Sequence, residues 1–329
     1  MEIKELISGR IGCECGKDHI CPIESVVIGE KAFDCLPALV EKYSNILVVA
    51  DRNTYAVCGE AVEKKLASRR ADTLIYSTES VLVPNETAIA ELKAHVTQAT
   101  DLIIGVGSGV INDLCKHVSF DCGLPYYIVA TAPSMDGYAS KGAALILDGM
   151  KVTLNADVPK AIIADVNILK NAPFEMIQAG YGDIIGKYSC LNDWKLANLV
   201  NGEYHCEFVM NATYEAVEKT VRLADGLNKR KSDAVCALME ALVAVGILMA
   251  YVGNQWFTDN KPHGFDIQDQ RLGALLRRTD ACRRRILAYT AGKIDRIDEL
   301  EEELLPYKYK ERSINYNNAQ LGSTANALL

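Results

Sequence analysis

The chain has 329 residues, of which 49% are hydrophobic and 24% are charged, and its formal net charge at pH 7 is −8. These values are typical of a globular protein long enough for two cores, and they exclude a largely disordered chain. The acidic balance disfavours a general nucleic-acid binder, because phosphate contacts need clustered basic side chains. We therefore expect no nucleic-acid partner.

Cysteine usage and hydropathy indicate the cellular compartment of the protein. The eleven cysteines are scattered without the regular spacing of a disulfide framework. The N-terminus carries no apolar signal core, so we expect a cytoplasmic protein with free thiols. The longest apolar window, Ala234 to Val252, is interrupted by Glu240 and is interpreted as a buried core helix. We expect no membrane span.

The densest cysteine group lies near the N-terminus, in Cys13-Glu-Cys-Gly-Lys-Asp-His-Ile-Cys21. Its three cysteines and one histidine are soft ligands, so a zinc site is one hypothesis. The C-x-C spacing is tight, however, and Gly16-Lys-Asp18 is typical of a hairpin turn. We favour a turn between two short strands over a zinc site.

Strand and helix patterns alternate through the first half of the chain. Apolar or β-branched runs predict strands at Ser25–Ile28, Asn45–Asp51, Asp72–Tyr76, Leu102–Ile104, Tyr126–Ala130, Ala143–Leu147, Lys151–Leu154 and Ala161–Asp165. Helical spacing between them predicts helices at Ala32–Lys42, Val57–Ser68 and Glu86–Ala99, and after the glycines that follow Ile104. Such alternation predicts a parallel sheet covered by helices.

The periodicity becomes helical after Asn171-Ala-Pro173. Helical spacing covers Met176–Ala179, Ile184–Asn198, Glu207–Leu227 and Ser232–Val252. We therefore predict an α/β protein in two parts. Residues 1–172 form a Rossmann-like parallel-sheet domain, and residues 173–329 form an all-helical domain.

The run Ile103-Ile-Gly-Val-Gly-Ser-Gly-Val-Ile-Asn-Asp113 is a strand that ends in glycines and opens a helix. Such a turn brings bare backbone N–H groups up to a ligand phosphate. The spacing is G-x-G-x-G rather than G-x-G-x-x-G, so the ordinary dinucleotide motif is not satisfied. A tight turn without a ligand is the alternative.

Two further segments follow predicted strands, and ligands of open α/β sheets bind beyond such strand ends. Asp51 could accept hydrogen bonds from a ribose diol, which favours NAD over NADP, or it could be an ordinary helix N-cap. The hydroxyls of Thr131-Ala-Pro-Ser134 could meet a pyrophosphate or a nicotinamide amide. Asp136 could bind a polyol, although loops often carry acids for turn formation. Asp183 falls in a predicted first helical turn, where the helix dipole also favours an acid.

Taken together, these segments resemble the sn-glycerol-1-phosphate dehydrogenase family, which belongs with the metal-dependent polyol dehydrogenases and dehydroquinate synthase. The resemblance covers about residues 10 to 254. The matching stretches are Gly12–His19, Gly105–Asp113, Thr131–Ser140, Ile163–Asp165, Asn171–Pro173, Gly180–Lys187 and Gly202–Cys206. It implies a dehydroquinate synthase-like fold, with a nucleotide-binding Rossmann-like domain first (residues 1–172) and a helical domain that carries metal and substrate second (residues 173–329).

The resemblance also implies roles for single residues. Asp136 would hold the substrate, and Asp183 would ligate the metal while touching the substrate, so that both serve catalysis. The positions that would contact NAD(P) are Asp51, Gly109, Val110, Ile111, Asn112, Asp113, Thr131, Ala132, Pro133, Ser134 and Ser140. The implied reaction is reversible hydride transfer between NAD(P)H and dihydroxyacetone phosphate, assisted by a divalent zinc or nickel ion.

The sequence departs from the family pattern after Asn254. The family has an Arg-Pro-Ala-Ser-Gly stretch that ends in a His-x-x-x-His pair, with a third histidine further on. This chain reads Gln255-Trp-Phe-Thr-Asp-Asn-Lys-Pro-His263 instead, and Ile267 stands four residues after that histidine. We interpret His263 as the second metal ligand and the region after about residue 254 as atypical or truncated. Divergence and a reading-frame disruption are both open explanations.

The expected function is that of a metal-assisted, NAD(P)H-dependent sn-glycerol-1-phosphate dehydrogenase. One alternative is a catalytically impaired, NAD-binding relative that lacks the histidine ligands. Another is a glycerol dehydrogenase or a dehydroquinate synthase-like enzyme. The expected partners are a small phosphate substrate and further copies of the chain, in a homodimer or a higher homo-oligomer.

Overall fold

A computed structural model describes residues 2–66, 69–77 and 81–252 of the chain. These residues belong to one compact unit, Met1–Phe257. The predictions that concern His263 and the region after residue 254 therefore lie outside the described residues.

The helices and strands follow one another in chain order. The strands are β1 (Arg10–Ile11), β2 (His19–Ile20), β3 (Ser25–Gly29), β4 (Ile46–Asp51), β5 (Arg70–Tyr76), β6 (Leu102–Gly107), β7 (Tyr126–Ala130), β8 (Gly142–Leu147), β9 (Met150–Asn155) and β10 (Ala161–Asp165). The helices are α1 (Ile3–Ile7), α2 (Leu36–Leu39), α3 (Arg52–Thr54), α4 (Glu60–Leu66), α5 (Glu86–His95), α6 (Gly109–Asp121), α7 (Val166–Leu169), α8 (Phe174–Ile185), α9 (Lys187–Asn201), α10 (Glu207–Val221), α11 (Ala224–Asn228) and α12 (Ser232–Val252).

Six of the strands form one parallel sheet in the order β3-β10-β7-β6-β4-β5. From β4 the chain continues to β5 at one edge, whereas from β6 it continues to β7 and β10 on the other side. The strand order therefore reverses between β4 and β6, which pair along their length up to Ala50 and Val106. Ligands of open α/β sheets bind at the carboxyl ends of such strands. The predicted parallel α/β architecture is confirmed.

The predicted strands β8 and β9 lie outside this sheet and form an antiparallel hairpin of their own. Asp148 and Gly149 connect them, with φ of 50° and 74°. Two residues with positive φ make a tight hairpin turn, and a parallel crossover would need a connection of at least a dozen residues. The short connection therefore decides the antiparallel pairing.

The helical half packs into the same core as one face of the sheet, so a single cluster of buried side chains includes residues of β6, β7, α8, α10 and α12. Helix α12 is long and apolar enough to cross a membrane, and 67% of its most apolar window is buried inside the protein. Val235, Leu238 and Leu242 on this helix are fully buried. Such burial is typical of a core helix. The domain boundary near residue 172 stays a prediction.

Candidate active site

Three adjacent strand ends, those of β4, β6 and β7, bring the predicted site segments to one edge of the sheet. Asp51 ends β4, and Gly107 at the end of β6 pairs with Ala130 at the end of β7. The loop from Thr131 to Ser140 follows directly, and the Thr131 N–H donates to the Gly107 carbonyl at 3.1 Å. The glycine turn and this loop are therefore neighbours at the point where the strand order reverses.

The glycines of the turn let helix α6 lie close against β6. A Cβ atom on Gly107 would lie 2.6 Å from the Cβ of Ile111, and one on Gly105 would lie 3.0 Å from the Sγ of Cys115. Helix packing alone therefore requires glycine at position 107 and leaves only tight space for a side chain at position 105. Helix α6 begins at Gly109, and its first N–H groups have no carbonyl partner within the helix. The same turn thus leaves donors that can meet an anionic group.

Hydroxyl groups fasten the loop after β7 to this turn. Ser108, the N-cap of α6, lies with its Oγ 2.7 Å from the Oγ of Ser134. The Tyr138 hydroxyl donates to the Ala132 carbonyl at 2.7 Å, and burial raises the pKa of this tyrosine to about 12. Pro133 is buried between these contacts. The loop is therefore held in one conformation beside the first turn of α6.

The other predicted cofactor positions differ in which of their atoms a ligand could reach. The Oδ1 atom of Asp51 caps α3 by accepting hydrogen bonds from the N–H groups of Asn53 and Thr54, at 2.8 and 2.9 Å. The side chains of Ile111 and Asn112 are buried inside α6 packing. Their contribution to a ligand would come through the backbone, whereas Asp51 already has the N-cap role that its sequence position also allowed.

A buried lysine that sequence reasoning missed lies beneath the loop. The Lys116 Nζ donates to the carbonyls of Gly137 and Gly142, at 2.7 and 3.0 Å, and to the Oγ of Ser140 at 3.3 Å. Asp113, one turn earlier on α6, lies 4.0 Å from the same Nζ. Ser140 is thus part of a buried support for the loop. The sequence signal was the i,i+3 spacing of an acid and a lysine on an otherwise apolar helix face.

The two acids predicted to serve catalysis meet a second buried lysine. The Asp136 N–H donates to the Oδ2 of Asp183 at 2.8 Å. The Lys187 Nζ lies 2.5 Å from the Oδ2 of Asp136, outside good hydrogen-bond alignment, and 3.8 Å from the Oδ1 of Asp183. Lys187 was missed as a site residue, although its i,i+4 spacing from Asp183 was visible in the sequence.

Burial and charge act in opposite directions on this cluster. Burial, together with the Asp183 carboxylate, raises the pKa of Asp136 to about 6, against the lowering effect of Lys187. Burial lowers the pKa of Lys187, but the two carboxylates outweigh it and the net pKa is raised. Lys187 is therefore a persistent buried cation. About a third of the Asp183 side chain is exposed, so this carboxylate is the open side of the cluster.

Two glycines let the helical half approach the loop that carries Asp136. A Cβ atom on Gly180 of α8 would lie 1.9 Å from the Pro133 carbonyl oxygen, and one on Gly246 of α12 would lie 2.4 Å from the Asp136 carbonyl oxygen. Only hydrogen atoms fit at these contacts. The close approach brings Asp183 to the loop. Asp183 lies in the last turn of α8, so the prediction that it falls in the first turn of a helix was wrong.

A catalytic metal site needs about three protein ligands and an open position. At this cluster the described residues offer Asp183, whereas Asp136 is engaged with Lys187. Among residues 2–252 outside the gaps, the one group of three or more metal-ligating side chains lies elsewhere, at Cys13, Cys15, His19 and Cys206. The described residues therefore do not by themselves fit a metal at Asp183, and we derive no reaction step through one.

Comparison with known proteins first defines the class. Residues 27–173 match the family described as iron-containing alcohol dehydrogenase. A glycerol dehydrogenase from Schizosaccharomyces pombe shares the fold, with a TM-score of 0.60 and 21% identity over 74% of this chain and 64% of that chain. An iron-containing alcohol dehydrogenase from Thermococcus thioreducens gives a TM-score of 0.57 at 14% identity, over 70% of this chain and 66% of that chain. The fold is that of the iron-containing alcohol dehydrogenases.

Curated relatives narrow this class. A glycerol-1-phosphate dehydrogenase [NAD(P)+] from Methanosphaerula palustris is 32% identical over 75% of this chain and 68% of its own length. One of the same name from Geobacillus stearothermophilus is 33% identical over 79% of this chain and 66% of its own length. This chain belongs to the glycerol-1-phosphate dehydrogenase family, as its resemblance predicted.

The match does not extend over the whole of these relatives. The chain spans only 62% of the length of the Halalkalibacterium halodurans relative, at 33% identity. Residues 208–318 also match a second family, described as the Glycoside Hydrolase 20C C-terminal domain. This second match begins in α10 and continues into the region where the sequence departs from the dehydrogenase pattern.

Proposed function

We propose that this chain is an NAD(P)-dependent oxidoreductase that acts on CH–OH groups and interconverts dihydroxyacetone phosphate and sn-glycerol 1-phosphate. The observation that carries the proposal is the loop after β7, which joins the glycine turn of α6 to Asp136, Asp183 and Lys187. A cofactor crevice and a charged substrate cluster thus share one loop. The names of the curated relatives supply the substrate.

The residues that would hold NAD(P) are those at the strand ends. The open N–H groups of α6 suit the pyrophosphate, and the second oxygen of Asp51 suits a ribose hydroxyl. The positions in this proposal are Asp51, Gly109 through Asp113, Thr131 through Ser134 and Ser140. When bound, the nicotinamide supplies the hydride or takes it up.

The charged cluster would bind the substrate and balance its charge. Asp136 would accept a hydrogen bond from a substrate hydroxyl, and Asp183 would face the substrate from its exposed side. The Lys187 ammonium offers N–H groups to an oxygen that gains negative charge during reduction, in a water-poor setting where such a contact is strong.

The metal in this proposal, zinc or nickel, would bind Asp183 and His263. His263 lies outside the described residues, and the membership in an iron-containing alcohol dehydrogenase fold supports a metal of some kind. A cytoplasmic location is proposed from the free cysteines. A homodimer or a higher homo-oligomer is proposed by analogy with the family.

The test is NADH and NADPH oxidation by the purified full chain with dihydroxyacetone phosphate, with zinc, nickel or no added metal. We expect metal-dependent turnover, and we expect Asp183→Ala to abolish it while leaving the affinity for NADH within about threefold. Asp225→Ala, an exposed acid on α11, is the matched control and should keep full activity. Absence of turnover with every metal, or unchanged turnover in Asp183→Ala, would contradict the proposal.

The cofactor role of Asp51 can be separated from its capping role. Serine also caps helices well, so Asp51→Ser should change the free energy of unfolding by less than about 1 kcal/mol. Loss of the carboxylate should weaken NADH binding several-fold. It should also reduce the ratio of the affinity for NADH to the affinity for NADPH. Fluorescence titration of both cofactors measures this effect, and identical affinities in wild type and variant would assign Asp51 to capping alone.

A catalytically impaired NAD-binding relative is the second candidate. The observation that favours it is the single metal-ligating carboxylate that the described residues offer at the cluster. It predicts NAD binding by calorimetry without metal-dependent turnover. The curated relatives give no support to a glycerol dehydrogenase or dehydroquinate synthase-like activity, and the glycerol dehydrogenase from Schizosaccharomyces pombe shares the fold at only 21% identity. A substrate screen would detect either activity.

A further inference from the structure

A cluster of sulfur and imidazole ligands lies outside the candidate active site. Cys13, Cys15 and His19 come from the N-terminal hairpin, and Cys206 comes from the start of α10. Their four ligand atoms all lie within 4.8 Å of one another. We propose that these residues form a structural Cys3His zinc site that ties the hairpin to the helical half of the protein.

Three of the distances among the four atoms match those of a tetrahedral zinc shell, and all of the distances are within 4.8 Å. Zinc–sulfur bonds of about 2.3 Å and zinc–nitrogen bonds of about 2.0 Å place sulfurs about 3.8 Å apart and a sulfur about 3.6 Å from a nitrogen. The Sγ atoms of Cys13 and Cys206 are 3.6 Å apart. The Nε2 of His19 lies 3.6 Å from the Sγ of Cys15 and 3.4 Å from that of Cys206. No disulfide joins these cysteines.

The backbone of the N-terminal hairpin brings its three ligands together. In the hairpin, the Gly16 N–H donates to the Cys13 carbonyl at 3.2 Å, and Gly16 has a φ of 81° that favours glycine. Strands β1 and β2 pair Ile11 with His19, so the histidine lies across the hairpin from the strand that leads to Cys13. The turn that we favoured from the sequence and the zinc hypothesis that we set beside it are therefore compatible.

Cys206 reaches the cluster from a favourable electrostatic position. It is the N-cap of α10, where the positive end of the helix dipole favours a negatively charged ligand such as a thiolate. Cys206 is fully buried, and zinc coordination would explain why a thiol with two sulfur or nitrogen neighbours lies there.

The histidine is held as a ligand rather than as a solvent-facing side chain. His19 is fully buried, and its ring stacks against Tyr251 and Phe208, with centroids 5.0 and 5.8 Å away. Its Nδ1 is buried without an aligned hydrogen bond, and the backbone of Tyr251 is the acceptor beside the ring. Metal-bound histidines usually direct their second nitrogen at such a carbonyl. The Tyr204 hydroxyl, 3.1 Å from the Cys15 Sγ, supports the opposite side.

Four protein ligands leave no open coordination position, so this zinc would stabilise the fold and would not enter the dehydrogenase chemistry. It would join segments that are 193 residues apart in the sequence. The proposal does not depend on the proposed function, because none of its residues belongs to the Asp136, Asp183 and Lys187 cluster.

Cobalt substitution of the full chain tests the site without an activity assay. After removal of zinc, Co²⁺ should produce thiolate-to-cobalt charge-transfer bands and intense tetrahedral d–d bands. Cys13→Ser, at a partly exposed hairpin position, should weaken these bands, and Cys206→Ser should do the same if it folds. Cys122→Ser, an exposed cysteine at the end of α6, and Asp183→Ala should leave them unchanged.

Zinc content and thermal stability give independent readouts. Apart from any metal at Asp183, protein purified under reducing conditions should retain about one zinc per chain at this cluster, which Cys13→Ser loses and Asp183→Ala keeps. A strong chelator should lower the Tm of wild type by several degrees and leave Cys13→Ser nearly unaffected. Absence of thiolate bands, equal zinc in wild type and Cys13→Ser, or a Cys13–Cys206 disulfide in the reduced, metal-supplied protein would each overturn the proposal.

Discussion

The charged side chains that are buried below the loop after β7 were not predicted from the sequence as site residues. Lys116 is fully buried, and its Nζ is satisfied by two backbone carbonyls and a serine hydroxyl. Burial lowers the pKa of Lys116 to about 8, although Asp113 and Asp136 act in the opposite direction. The ammonium thus supports the loop at an energetic cost that depends on pH.

That cost gives a prediction for the pH dependence of stability. The pKa of Lys116 is about 8 in the folded protein and 10.5 in the unfolded chain, so the unfolded state binds more protons between these values. The contribution of Lys116 to stability should therefore rise with pH across this window, by about 3 kcal/mol in total. Relative to Lys116→Met, wild type should gain stability in urea unfolding as the pH is raised from about 7.5 to about 10.

The matched control is Lys195→Met, which removes an exposed lysine on α9. Its stability difference from wild type should not change with pH. A Lys116→Met difference that is equally flat would mean that Lys116 is not a strained buried ammonium.

Close contacts between α8, α12 and the loop after β7 decide the site at the scale of elements. Each strand and helix could be expected from its own periodicity, and β7 and α12 match their predicted bounds. The packing of α8 and α12 against the loop could not be expected, because glycines at helix contacts look like any other small residue in a helical pattern. Gly180 and Gly246 acquire their meaning only from the carbonyl groups opposite them.

We predict that Gly180→Ala displaces α8 from the loop. The added methyl group would overlap the Pro133 carbonyl oxygen, so the free energy of unfolding should fall by about 1–3 kcal/mol. Any dehydrogenase turnover should fall as well, since Asp183 is on the same helix. Thermal and urea denaturation measure the first effect.

Gly182→Ala on the same helix is the control, because no atom lies within 4 Å of its built Cβ. It should be neutral or more stable by about 0.5–1 kcal/mol, as alanine favours helices over glycine. Equal effects at Gly180 and Gly182 would refute a specific contact between α8 and the loop.

One cluster of buried side chains connects the sheet and the helices at the scale of the described molecule. Leu242 of α12 is fully buried, and its Cδ1 would lie 3.1 Å from a Cβ placed on Gly180. The helix that looks most like a membrane span is therefore the centre of the core. Continuity of the core bears directly on whether the two predicted domains unfold separately.

We predict that Leu242→Ala destabilises the protein by about 2–5 kcal/mol through loss of burial and an unfilled cavity. Since the core is continuous, the sheet and the helices of wild type and variant should unfold in one transition. Far-UV circular dichroism and tryptophan fluorescence should give coincident curves in urea. Two resolved transitions, with only one shifted by the variant, would instead support independent domains split near residue 172.

The sequence by itself determined the alternation of strands and helices, the helical second half, the glycine turn, the acids at strand and helix ends, and the family. These features depend on local periodicity and on short motifs, which are legible within about one turn or one strand. Tertiary structure alone decided which distant side chains meet. It paired Lys187 with Asp136, buried Lys116 under Ser140, and brought Cys206 to the N-terminal hairpin. Strand order and close backbone contacts determine which distant side chains come into contact, and no local sequence pattern encodes these contacts.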